Sequence, residues 1–180
     1  MNDLTALSKE YRRELFEKFV EVGQGHPGST FSMVEIATTL YHGGHVRLGK
    51  DKVLISKGHA TVTLYPILTK LGVIPQHEWD NWGSKSSCLR VFGNTTIPGI
   101  DMTSGSLGHG VGVGAGMALA AKREGNDKQI YVVISEGELY EGIYYIFDEY
   151  SYIIRNIDFE YNTNIDLINI LLNKKIAKNK

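Results

Sequence analysis

Cysteine is almost missing from this chain: Cys88 is the single one in 180 residues. No intrachain disulfide can form, so packing must hold the fold, and a reducing cytoplasm is the expected setting. With no histidine beside it in sequence, Cys88 reads as a small packed residue and not as a nucleophile. An excess of either charge is missing too. Lys and Arg total 19 against 20 Asp and Glu, a net charge of −1, which argues against a nucleic-acid or anionic-membrane surface, since that needs a basic excess or a clustered basic face. Lys174, Lys175, Lys178 and Lys180 read as a solvated basic end. No apolar run approaches membrane-spanning length and no signal peptide opens the sequence, so neither membrane nor nucleic acid is an expected partner. A zinc site is excluded by the lack of cysteine partners and of any H-E-x-x-H. Glycine is absent from residues 143–180, all 20 glycines lying at or before Gly142, and that last stretch is rich in Asn, Ile, Tyr and Lys. The expectation is a domain over 1–142 and a divergent tail over 143–180, from truncation or a shifted reading frame, with a shortened but folded domain end as the alternative.

What is present is the make-up of one globular domain, 42% apolar and 22% charged. Leu4, Leu7, Tyr11, Leu15, Phe19 and Val22 recur at three- and four-residue steps, which predicts an amphipathic helix that Gly23 ends. A loop is expected over 25–30. Ser32 and Glu35 stand at capping-box spacing before a second helix through Tyr41, closed by Gly43 and Gly44. Residues 53–55 read as a short buried strand, 60–71 as a helix interrupted or bent at Pro66, 75–82 as a short helix and 83–100 as mostly loop. A helix over 107–122 precedes a strand over 130–134. The fold class is therefore α/β, with a mainly parallel sheet flanked by helices.

The chemistry gathers in turns. Tyr131-Val-Val-Ile-Ser-Glu-Gly-Glu-Leu-Tyr-Glu-Gly142 runs an apolar strand into an acidic glycine turn, placing Glu136 and Glu138 at a strand's carboxyl end, where open α/β sheets dock ligands. Carboxylate oxygens there suit Mg²⁺ and the phosphates it bridges. Three other turns carry both glycine and histidine: Gly25-His-Pro-Gly-Ser29, Ser56-Lys-Gly-His-Ala60 and Thr103-Ser-Gly-Ser-Leu-Gly-His-Gly110. His26 lies in a loop, a good place from which to aim an imidazole at a substrate. His59 stands where a strand passes to a helix, so ring and backbone N–H groups can meet an anion together. Glycine at every second position from Gly108 to Gly116 costs about 1 kcal/mol each against alanine, which implies close approach by a neighbouring backbone or a flat ligand. A dinucleotide fingerprint does not fit this helix, since no six-residue window among its glycines reads G-x-G-x-x-G and no clear strand leads into it. His42, His45 and His77 carry no motif.

In this order the four turns resemble the diphosphate-binding, N-terminal part of transketolase, a thiamine-diphosphate enzyme that moves two-carbon ketol units between sugars. The resemblance runs from about Leu4 to Gly142. It implies thiamine diphosphate and Mg²⁺ as cofactors, a sugar phosphate or related sugar as substrate, and a thiamine-diphosphate-binding fold. By resemblance, His26 is the substrate-side histidine and His59 contacts the diphosphate. Gly105, Ser106 and Leu107 cradle the aminopyrimidine, and Gly137 and Glu138 belong to the cofactor turn. Glu141 matches a glutamate near the subunit interface and cofactor, whereas His109 fills a slot that is commonly glutamine. Glu136 takes the metal-binding place of an aspartate, Ser-Glu-Gly standing for Gly-Asp-Gly. The second metal ligand falls among Asn162, Asn164 and Asp166, in Asn162-Thr-Asn-Ile-Asp166. A second substrate histidine is replaced by Phe92-Gly-Asn-Thr-Thr-Ile-Pro98, with Asn94 near its place. The resemblance also implies a component that works only with a partner, a C-terminal subunit carrying the pyrimidine-binding domain. Alternatives are a component of another thiamine-diphosphate enzyme, of deoxyxylulose-phosphate synthase or decarboxylase type, or a non-catalytic remnant that pairs with a homologue.

Overall fold

The structure, a computed structural model, describes residues 3–141. The expected boundary after Gly142 and the tail beyond it lie outside these residues. Helix α1 (Leu4–Val22) opens on Asp3, whose carboxylate accepts the N–H groups of Thr5 and Ala6, and closes on Gly23 at φ 70°. Only glycine adopts that left-handed turn without cost, and it lets the Gly23 N–H reach the Phe19 carbonyl. The predicted stripe faces inward: Leu7, Tyr11, Leu15 and Phe19 are buried. Full burial of a leucine contributes about 1.5–3 kcal/mol, more than any propensity difference along the helix, so packing decides which face turns in.

The expected loop at 25–30 instead contains a short helix, α2 (Pro27–Phe31), which Pro27 starts because a first-turn residue needs no N–H partner. The capping box expected from Ser32 and Glu35 does not form. Met33 precedes α3 (Val34–His42) with no side-chain cap. Ser32 is drawn away, its hydroxyl donating to the Ser29 carbonyl and accepting from Lys57, while Glu35 pairs with Arg12. Strand β1 (Lys52–Ile55) leads into a 3₁₀ turn over Gly58–Thr63 and then α4 (Leu64–Lys70). The predicted helix over 60–71 is thus split before Leu64. Pro66 falls in the first turn of α4, where its missing N–H costs nothing, and bends no helix. Helix α5 (Gln76–Asp80) follows Pro75, and residues between it and α6 (His109–Arg123) form the expected long loop.

Strand β2 (Ile130–Val133) pairs with β1 in parallel, Lys52 opposite Ile130 and Ile55 opposite Val133. Val53 and Ile55 enter the core shared with α1, α3 and α4. Leu54, which must point to the other face, is equally buried. A strand covered on both faces is what a parallel sheet with flanking helices requires. Asp101 closes the far side of β1, accepting the Val53 N–H at 2.9 Å and the Lys52 ammonium at 2.8 Å. Helix α6 lies on the sheet through its glycines: a Cβ on Gly114 would drive into Val132, and one on Gly110 into Ser56. Among the described residues no helix is long and apolar enough to cross a membrane.

Candidate functional site

Parallel pairing puts the ends of β1 and β2 side by side, so the turns after them must share one edge of the sheet. Ser56 to His59 leave β1, and Ser135 to Tyr140 leave β2 as a second 3₁₀ turn over Glu136–Tyr140. The entry to α6 comes against both: a Cβ on Gly58 would stand 2.5 Å from the Ser104 hydroxyl, and the Gly110 N–H donates to the Ser56 hydroxyl at 3.1 Å. The loop bearing His26 closes the group from the other side. The His26 and His59 rings lie edge to face, centroids 5.4 Å apart, with Phe92 5.7 Å beyond His26. Four turns separated widely in sequence thus meet at one carboxyl edge.

The ionisable groups here are partly desolvated. Lys57 is buried, and its ammonium donates to the Ser32 hydroxyl at 2.8 Å, leaving donors for an anion. Burial lowers its pKa, opposed by the nearby Glu138 carboxylate. The half-buried His59 is also held below the ordinary histidine value, first by burial and then by its neighbours His26 and Lys57, with Glu138 pulling the other way. His59 is therefore neutral at neutral pH and can donate or accept one hydrogen bond at each ring nitrogen.

A thiamine diphosphate would need an anion-facing cradle and room for close approach. Both are present. Cβ atoms built on Gly105 and on Gly137 meet nothing within 4 Å, and neither residue needs the left-handed conformation. Their own surroundings do not demand glycine, whereas a ligand pressed against the backbone does. The Ser104 hydroxyl is buried without a hydrogen-bond partner beside that cradle, an orphan of the kind that a bound group satisfies. His59, Lys57 and the Gly105, Ser106 and Leu107 backbone are the groups that could hold such a cofactor. For a metal, Glu136 is exposed at the start of its turn. Among the described residues no cluster of three acidic, histidine or cysteine side chains is formed, and Asn162, Asn164 and Asp166 lie outside them.

Other residues singled out in the sequence take distinct places. Glu138 is fully buried with both oxygens engaged by protein donors, so its carboxylate faces the turns it holds and not the open edge. Glu141 is exposed just past the 3₁₀ turn, its N–H on the Glu138 carbonyl. His109 is exposed in the first turn of α6. Asn94 accepts the Thr96 N–H at 2.9 Å, an Asx turn that occupies its oxygen. Cys88 packs beside the core, with burial and the Glu78 carboxylate raising its thiol pKa, as for an inert cysteine. Ser56, Lys57 and Phe92 join the site although sequence reasoning gave them no role. A strand-end serine or lysine has no sequence signal that separates it from an ordinary turn residue.

A helix-flanked parallel sheet with a glycine-rich anion cradle at its carboxyl edge defines the class of α/β cofactor-binding domains. Residues 7–151 match the family described as transketolase, thiamine diphosphate binding domain, and the chain belongs to that family. The match passes beyond Gly142. Among curated relatives, an apulose-4-phosphate transketolase subunit of Phocaeicola vulgatus is 34% identical over 145 residues, 77% of this chain and 52% of that protein. A 6-deoxy-6-sulfo-D-fructose transketolase subunit of Clostridium sp. is 32% identical over 152 residues, 78% of this chain and 54% of the relative. The transketolase of Mycobacterium bovis is 33% identical over 148 residues, 68% of this chain and 21% of the enzyme. The chain spans about half the length of the subunit-type relatives.

Proposed function

We propose that this chain is the diphosphate-binding component of a split transketolase. It binds thiamine diphosphate with Mg²⁺ and, together with a partner chain carrying the pyrimidine-binding domain, transfers two-carbon ketol units between sugar or sugar-phosphate substrates. The observation that carries this reading is the meeting of the four turns at one sheet edge, with His26 and His59 rings 5.4 Å apart. Relatives named as transketolase subunits support the need for a partner.

The cofactor, when bound, supplies the electron sink for carbon–carbon chemistry. The chain's own residues bind and orient. Lys57 and His59 meet the diphosphate oxygens, Lys57 as a point charge whose desolvation strengthens the interaction. Gly105, Ser106 and Leu107 present backbone to the aminopyrimidine. Glu136, exposed at the start of its turn, would offer a hard oxygen to Mg²⁺. His26, exposed beside Phe92, faces the substrate side, where it holds a sugar hydroxyl and takes or returns its proton. Phe92, in the segment that replaces a second substrate histidine, packs on His26, while Asn94 stands near that histidine's expected place, so an amide and an apolar ring take over from an imidazole on the substrate side. Glu141, exposed past the acidic turn, matches a family glutamate near the subunit interface and cofactor, which would set it toward the partner chain.

The test mixes the purified chain with a C-terminal transketolase subunit carrying the pyrimidine-binding domain and follows ketol transfer. No turnover is expected from either alone and turnover from the mixture, lost in His26→Ala and His59→Ala. Transfer by the isolated chain overturns the need for a partner. If the mixture is inactive although the chain binds thiamine diphosphate, the chain is a binding component without ketol transfer.

A further inference from the structure

Glu138 is a charged side chain with no exposure to water, in a turn whose neighbour Glu136 is open to solvent. Its oxygens are divided between two sides. Oε1 accepts the Ser56 hydroxyl at 2.5 Å and the Gly108 N–H at 2.8 Å. Oε2 accepts the Ser135 N–H at 2.7 Å and its hydroxyl at 3.1 Å. Ser56 in turn accepts the Gly110 N–H at 3.1 Å. One carboxylate therefore joins the end of β1, the entry to α6 and the end of β2.

We propose that Glu138 is a positioning residue: its carboxylate sets the spacing of the three turns that form the anion cradle, and so controls the cradle's fit without touching its ligand. A carboxylate suits this place because it is acceptor-only and every group aimed at it is a donor. The serine hydroxyls can rotate, but the N–H groups of Gly108 and Ser135 cannot. A glutamine has one acceptor oxygen, so its NH₂ must face one of those two N–H groups, and that side opens. Aspartate keeps the charge but lacks the reach. The placement also leaves a buried negative charge beneath Lys57 and His59, which offsets the cost of bringing Lys57 out of water.

The test measures amide exchange by NMR on the full, ligand-free chain, comparing wild type with Glu138→Gln, Ser56→Ala and, as a control that loosens the distant core of α1, Leu15→Ala. Protection is expected to fall at Gly108 or Ser135 in Glu138→Gln and at Gly110 in the milder Ser56→Ala, while Val53 and Ile55 follow global stability. Calorimetry with thiamine diphosphate and Mg²⁺ is expected to show binding weakened about 10- to 100-fold in Glu138→Gln, as for groups that orient ligand-bearing residues, and unchanged in Leu15→Ala. Unaltered protection at these amides in both variants overturns the proposal, as does lost protection with unchanged affinity, which reduces Glu138 to a structural contact. The binding arm rests on the proposed function. If wild type binds no thiamine diphosphate, that function fails, and the exchange pattern alone decides whether Glu138 spaces the turns.

Discussion

Asp51 shows how a buried charge is kept at low cost. Its side chain has no exposure, and burial by itself would raise the pKa. Four donors outweigh it: the Arg47 guanidinium through Nε and Nη2, the Arg47 N–H and the Gln129 N–H, all within 2.9 Å. The net effect holds the carboxyl at about 2 against an ordinary 3.8. A depressed folded-state pKa contributes stability that is complete above the unfolded value and is lost as pH falls toward the folded one. Asp51→Asn is therefore expected to cost about 2 kcal/mol near neutral pH, a gap that closes between pH about 4 and about 2. Urea unfolding of both proteins across that range measures it, and a gap constant with pH would show that the carboxylate charge is not what matters. None of this is legible in the sequence. Arg47 and Asp51 look like any exposed charged pair in a loop until the start of β2 brings the Gln129 N–H against them.

At the scale of elements, α6 carries its glycines for two different reasons. Gly114 stands so near Val132 that a Cβ requires one of them to move, whereas a Cβ on Gly116 meets nothing. Gly114→Ala is expected to destabilise by about 1–3 kcal/mol through overpacking. Gly116→Ala is expected to stabilise by about 0.5–1 kcal/mol, because alanine loses less backbone entropy and clashes with nothing. Urea midpoints of the two variants should move in opposite directions, and a shared direction would refute the packing of α6 on β2. The even glycine spacing did announce close approach. It could not say which glycines meet the sheet, because that depends on helix rotation. Helix α1 was readable nearly to the residue, since a long apolar stripe and a terminal glycine reinforce each other. The capping box at Ser32 misled because Lys57 and the Ser29 carbonyl compete for the hydroxyl across 25 and 3 residues of chain.

For the whole molecule, cofactor binding and folding are linked: a ligand that binds only the folded chain raises its stability by mass action. Thiamine diphosphate at a hundredfold its dissociation constant adds about 2.7 kcal/mol, or about 5–10 °C in Tm for a chain of this size. The shift is expected to need Mg²⁺, to vanish in His59→Ala and to lose its metal dependence in Glu136→Ala. Differential scanning fluorimetry reads all three, helped by Trp79 and Trp82, which stack in the core 5.8 Å apart. A full shift without metal would remove Glu136 from the site.

The residue types and their order determined the family, the α/β class, the long first helix and the two strands, because each rests on local pattern: a 3.6-residue stripe, a short β-branched run, glycine and histidine in four turns. Tertiary structure decided what those turns become together. Packing of α2 on the turn after β1 brings His26 to His59, and parallel pairing of β1 with β2 sets their ends side by side, so that Glu138 reaches Ser56, 82 residues away. Glu136 and Glu138 are both acids in one turn, two residues apart. One is left in water and the other sealed among backbone donors, a division made by which side of a 3₁₀ turn faces the sheet.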